Sequence, residues 1–390
     1  LKKIQQPSAV KNGLDFWKKT VKNFMMGRNT FTFFLLFIFS CDSKYSSFTD
    51  LEYAVSKGDF PRLQLLQKRG ADLKLKDRKT GKFLLHYGAE NNQSEILEFL
   101  LKEGLETDLP DKEGRTPLFY AMKDSHIRTQ EILYGRGSDL HRKTKSGSAL
   151  LHYAAMNGAA KTIESLIRKK MRVDEKDSAG NTALHTAAMH HQQTSAEMLV
   201  RYMPNLNIRN NLGLTPAHTA ADSGQWNLLK LLLNSGADPD STDAKGNTVL
   251  HKAAGIKGNL NSVRFILQKN ADKNIKNNDE ETALHISVLR AADLTITQHL
   301  ISEGAYINMK DSDGDTILHM LCIQKTNTEM INTVISGKAK VNSVNQTGKT
   351  PLHYAVQFKR TETIEILLKN GADPYLRDLN GHTPEDLKPK

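Results

Sequence analysis

The feature that most constrains this chain is a glycine that returns at a fixed interval. Gly81, Gly114, Gly147, Gly180, Gly213 and Gly246 stand 33 residues apart. The phase then runs through Glu280, Gly314 and Gly348 at 34, and reaches Gly381 after 33 more. Self-similarity of this length marks one supersecondary unit copied along the chain, each copy burying its apolar face only by stacking on its neighbours. Such a chain lengthens copy by copy, so its 390 residues need not divide into globular domains.

The text inside each copy is as regular as the spacing. Asn181-Thr-Ala-Leu-His-Thr-Ala-Ala188, Leu214-Thr-Pro-Ala-His-Thr-Ala-Ala221, Asn247-Thr-Val-Leu-His-Lys-Ala-Ala254 and Lys349-Thr-Pro-Leu-His-Tyr-Ala355 each read as a short helix. Thr is placed to cap it, and Pro at the first helical position gives up no hydrogen bond. The Ala pair lets neighbouring helices approach closely. A second apolar run follows, as in Ile96-Leu97 with Leu100-Leu101 or Leu228-Leu229 with Leu232-Leu233. That spacing makes one buried helical stripe. Gly70, Gly236 and Gly371 then open a Gly-Ala-Asp triplet, where glycine suits the left-handed end of a helix.

Motif and period together resemble the T-P-L-H-x-A-A units of the ankyrin-repeat family over residues 49–390. The resemblance implies an all-α solenoid of stacked helix-turn-helix units with turn or hairpin tips. It also implies a non-catalytic protein that binds its partner with the tips and the exposed face of the first helices, which line a concave groove. The expected organisation is a capping copy at 49–77, nine copies over about 78–377 and a stub at 378–390. The capping copy lacks the T-P-L-H start, and the stub reads Thr383-Pro-Glu-Asp-Leu387 with a polar face. Both suit ends that face water. Phe119 stands where His is usual, Ala217 where Leu is usual and Glu280 where Gly is usual. The copies starting at Gly246, Glu280 and Gly314 carry one extra residue each, which predicts slightly irregular curvature and no break in the stack.

Ahead of the repeats, Phe31-Thr-Phe-Phe-Leu-Leu-Phe-Ile-Phe-Ser40 is too short to span a bilayer but has the length of a signal-peptide core, with Arg28 as its positive flank. Ile38-Phe39-Ser40 followed by Cys41 resembles the lipobox of bacterial lipoproteins, although Phe39 is bulkier than the usual residue there. The resemblance implies lipidation of Cys41, cleavage before it and a membrane tether, with 25–40 as the signal peptide and 41–48 as a polar linker. The alternatives are ordinary secretion or an uncleaved anchor, and an apolar tail on a cytosolic protein. Because the chain starts with Leu1 while Met25 and Met26 sit where a compact signal would begin, residues 1–24 read as an upstream extension.

Charge and cysteine content narrow the remaining classes. The formal charge is +11, but residues 1–28 hold seven cations against the single acid Asp15, which leaves +5 for the rest. So thin an excess does not make a footprint for nucleic acid. Cys41 and Cys322 are the only cysteines, which excludes a disulfide framework. Eight histidines recur in phase, at 86, 152, 185, 218, 251, 285, 319 and 353. Packed helices lie about 8–10 Å apart, too far for successive rings to share a zinc ion, so they read as structural. Asp311-Ser-Asp313-Gly-Asp315 opens like a calcium loop, but Thr316 and Cys322 stand where that loop needs Gly and Glu. It reads as a solvated turn. His190-His191 has no carboxylate or cysteine at ligand spacing, and no nucleophile elbow or phosphate loop occurs. No metal, cofactor or catalytic group is expected.

The partner-binding residues read from the pattern are of two kinds. The early tips are basic, with Arg78, Lys79, Lys82, Lys112, Arg115 and Lys145; the later ones are acidic, with Asp279, Glu281, Asp313 and Asp315. Between them Met189, Leu212, Leu214 and Ile256 occupy positions that are normally exposed and variable. Apolar residues at such positions suggest an interaction patch for a protein or peptide, oriented by opposite charge at the two ends. The leading expectation is a membrane-tethered scaffold facing the bacterial periplasm or exterior. The alternative is an exported effector or cytosolic adaptor using the same repeats.

Overall fold

The computed structural model describes residues 48–324 and 328–388. Within them twenty α-helices follow one another, and the only β pairing is isolated bridges such as Thr242 with Thr248. Most copies are an antiparallel pair: a seven-residue inner helix such as Ala183–Met189 or Pro216–Asp222, then an outer helix of nine or ten such as Gln193–Tyr202 or Trp226–Asn234. The expected all-α solenoid is what the chain forms.

The core runs unbroken along the stack. Ala154, Ala155, Ala187, Ala188, Ala220, Ala221, Ala253 and Ala254 are fully buried, so small side chains set the spacing of the inner helices. Leu228, Leu229, Leu232 and Leu233 of one outer helix close the same core from the other side. Replacing one such leucine with alanine leaves a cavity that typically costs about 2–5 kcal/mol.

A second set of bonds joins the copies along their tips. Each tip amide donates to a carbonyl of the preceding tip: Lys112 to Thr80 at 3.0 Å, Lys145 to Glu113 at 2.8 Å, Asn211 to Ala179 and Ala244 to Leu212 at 3.0 Å. The rungs continue to Leu379 on Thr347 at 3.0 Å. At Gly213, φ is +73°, and an added Cβ would lie 2.4 Å from the Ala244 amide. The tips stack this closely only because the phase residue lacks a side chain. Glu280 holds the same place with φ +58°, and the rung beside it, Ser312 to Asp279, is long at 3.2 Å. Glu280→Gly is expected to raise stability by about 1 kcal/mol by removing a left-handed side-chain penalty. A urea midpoint that does not move upward would contradict this.

The extra residues are absorbed without breaking the stack. In the copy starting at Glu280 the addition becomes a π-turn, Ser287–Ala291, closed by Ala292 at φ +45°. Asp293 then caps the outer helix through Thr295 and Ile296, and accepts from the Gly258 amide of the preceding copy at 2.7 Å. The copy at Gly246 takes its residue in the turn between helices. In the copy at Gly314 the corresponding turn includes 325–327, outside the described residues. The far end is less polar than the motif suggested. Among the described residues the copy starting at Gly381 supplies a short Glu385–Leu387 turn, and Leu368, Tyr375 and Leu379 stand exposed.

Candidate functional site

Three of the residues read as a patch converge. Met189 ends one inner helix, Leu212 and Leu214 belong to the next tip, and with Asn181, Asn211 and Asp222 they line a cleft of about 460 Å³. The cleft lies between two tips and opens onto the ends of two inner helices. Leu212 is 67 % exposed and Met189 43 %. Ile256 is not part of it; half-buried, it sits in the turn between Val249–Ala254 and Leu260–Gln268.

The charged residues behave differently from the pattern reading. Lys82 is not a free tip: its Nζ pairs with Glu90 at 2.7 Å and lies 4.3 Å from the Tyr120 ring centroid. Arg115 is held by Asp111 at 2.8 Å and stacks over the same ring at 5.0 Å. Burial pushes the Asp111 carboxyl up, but bonds from Tyr120 and Arg115 outweigh it and hold the group below the ordinary carboxylate range. Glu281 is half-buried and accepts from Asn277 at 3.1 Å. Arg78, Lys79 and Lys145 at one end, with Asp279 and Asp313 towards the other, do remain exposed.

Asp315 corrects the expectation of a solvated turn. It is only 6 % exposed, and its Oδ1 accepts from Asn345 of the next copy at 2.7 Å. Burial among Asp311 and Asp313 pushes its carboxyl up to about 6. The Asp311 carboxylate is used within the turn, accepting the amides of Asp313 at 2.9 Å and Asp315 at 2.8 Å.

That turn chemistry recurs, and the motif reading passed it over. Three residues before eight of the ten phase positions stands Asp111, Asp177, Asn210, Asp243, Asn277, Asp311, Asn345 or Asp378, the exceptions being Arg78 and Thr144. Its side-chain oxygen accepts two amides, as Asn210 does from Leu212 and Leu214, both at 3.0 Å. The signal was present as an Asp or Asn at constant phase, a residue type that bonds its own turn. Asn210 also donates to Asn181 at 2.9 Å and Asn277 to Asn247 at 3.0 Å, the same link that Asn345 makes to Asp315.

The recurrent histidines join copies in pairs. Nδ1 accepts the backbone N–H three residues earlier, at 3.0–3.2 Å, as in Thr215 to His218 and Thr350 to His353. Nε2 therefore carries the proton and donates to a carbonyl of the next copy: His185 to Leu214 at 2.9 Å, His218 to Asn247 at 3.0 Å, His353 to His382 at 3.1 Å. The Thr hydroxyl, expected to cap the helix directly, instead meets Nδ1 at 2.8–2.9 Å; Thr215 and Thr248 alone also reach a helix amide, at 3.4 Å. Burial pushes His185, His285 and His319 down to about 4, keeping the rings neutral. With both nitrogens committed, these rings offer no lone pair to a metal.

Among the described residues before the stub at 378–390, two copies lack the histidine: Glu52 holds its place in the first, and Phe119 in the copy starting at Gly114. Phe119 replaces the histidine and packs edge-on against Tyr153 at 5.0 Å, leaving the buried Thr116 hydroxyl without a partner. Its inner helix is only Pro117–Tyr120, and the buried Gln130 donates to the loose carbonyls of Ala121 at 2.8 Å and Lys123 at 2.9 Å. Cys322 is fully buried in Ile317–Ile323, and burial pushes its thiol up.

Fold and groove together define a tandem-repeat solenoid built as an interaction scaffold. The model for ankyrin repeats in sets of three copies matches residues 51–144, 127–210, 151–243, 194–277, 217–294 and 284–378. The chain belongs to the ankyrin-repeat family, whose members are typically non-catalytic. Comparison with curated proteins gives no match.

Proposed function

We propose that this protein is a non-catalytic scaffold, tethered to a bacterial cell envelope by a lipid on Cys41, that holds a protein or peptide segment in its concave groove. The observation that carries the binding half is the cleft lined by Met189, Leu212 and Leu214. Apolar side chains gathered at an exposed concavity are anchors for a partner. The tether rests on the apolar run ending in Cys41 alone; that segment lies outside the described residues.

Two measurements test the two halves separately. A photo-crosslinking side chain at position 212 in the native host is expected to capture discrete protein adducts. The same group at Lys230, exposed on an outer helix, is expected to capture none. Equal capture at both positions would remove the groove from the reading. Metabolic lipid labelling is expected to mark the wild type and not Cys41→Ala, with the variant released from membranes. An unlabelled wild type in the medium would favour the exported effector, and one in the cytosol the adaptor.

A further inference from the structure

The cleft's polar groups are unequal in what they have left to offer a ligand. The backbone amides of its tip are all used: Asn211 donates to Ala179, Gly213 to Asn210, and Leu212 and Leu214 to the Asn210 side chain, while the Leu212 carbonyl takes Ala244 and that of Leu214 takes Asn210 and His185. A partner strand therefore cannot extend this edge by backbone pairing, the usual mode of strand addition. The carboxamides are committed as well, Asn210 to Asn181 at 2.9 Å and Asn211 to the Ser178 carbonyl at 2.9 Å. Recognition falls to side chains.

Asp222 is the one ionisable residue in the lining; it is exposed, and among the described residues it makes no salt bridge. It lines the cleft beside Ser223 together with apolar Met189, Leu212 and Leu214, at the place in its copy that Met189 holds in the copy before. A lining that combines aliphatic side chains with a single carboxylate complements a side chain that is aliphatic along its stem and cationic at its head. Met189 adds an unbranched wall that adapts its shape to what enters. At about 460 Å³ the cleft has room for two side chains.

We propose that the cleft takes a lysine or arginine and an adjacent apolar side chain from an extended partner segment, the cationic head pairing with Asp222 and the stem lying on Met189 and Leu214. This rests on the groove reading above and adds the chemistry of what the groove selects. Neighbouring tips leave that preference in place: Asp243 in the next copy is already paired with Lys252 at 3.0 Å, so Asp222 is the carboxylate that remains open here.

The test uses the intact protein and labelled pentapeptides in which leucine is followed by lysine, arginine, norleucine or glutamate, read by fluorescence polarisation. Lysine and arginine peptides are expected to bind about tenfold more tightly than norleucine, the same stem without the charge. Asp222→Asn is expected to erase that difference and Asp222→Lys to shift preference to glutamate. Asp222 is exposed, so unchanged circular dichroism should accompany both variants. Equal binding of lysine and norleucine peptides, or a preference that survives Asp222→Asn, overturns the assignment. If all peptides bind alike and Leu212→Asp abolishes binding, the groove stands and its proposed selectivity falls. Absence of crosslinks from position 212 would instead count against the groove itself.

Discussion

Acidification from pH 7 to pH 5 is expected to lower the thermal midpoint by roughly 10 °C. The cause is the row of neutral histidines. In the unfolded chain an imidazole titrates near 6.5, whereas burial holds His185, His285 and His319 at about 4. Below pH 6.5 the unfolded chain takes up protons that the folded chain refuses, so stability present at neutral pH is lost as pH falls towards 4. At pH 5 each such ring accounts for about 2 kcal/mol. Carboxylates held low, such as Asp111, give up their contribution only below the ordinary value of 3.8, outside this window. A midpoint that stays level between pH 7 and 5, followed by circular dichroism, would contradict the neutral, doubly bonded rings.

Asp315→Asn is expected to stabilise the protein by about 3 kcal/mol at pH 7.5 and by only about half a kcal/mol at pH 4. Here the sign is opposite. Burial raises the carboxyl from 3.8 to about 6, so the folded chain holds its proton longer than the unfolded chain. The penalty is absent below 3.8, grows as pH rises through 6 and is constant above it. The variant needs no new geometry, because Asn181 and Asn247 already accept the equivalent bond from Asn210 and Asn277. Urea denaturation of both proteins at the two pH values measures the difference. A variant less stable at pH 7.5 would mean that the charged form is favoured at this joint.

The repeat was legible because each copy states its own fold: cap, small pair, apolar stripe and stop recur in text as they do in space. Met189, Leu212 and Leu214 were legible for the converse reason, being apolar where the pattern leaves the residue free. The charges were not. Whether Lys82 is a free tip depends on Glu90 and two aromatic rings, and whether Asp315 is solvated depends on Asn345, 30 residues further on. Sign is written in the sequence; engagement is a property of what the stack brings alongside. The same limit hid the second task of the histidines, since their acceptor carbonyls belong to the next copy.

The joint at Phe119 has a mechanical meaning. Where His185 or His218 stitches one copy to the next, this joint has a ring contact, the rung from Lys145 to Glu113, and bonds from Thr162 to Asp124, Gln130 to Thr162 and Asn157 to the Met122 carbonyl. A lengthwise load therefore crosses this joint through the turn at Asp124 and the outer helix at Thr162, and not through a ring of the inner helix.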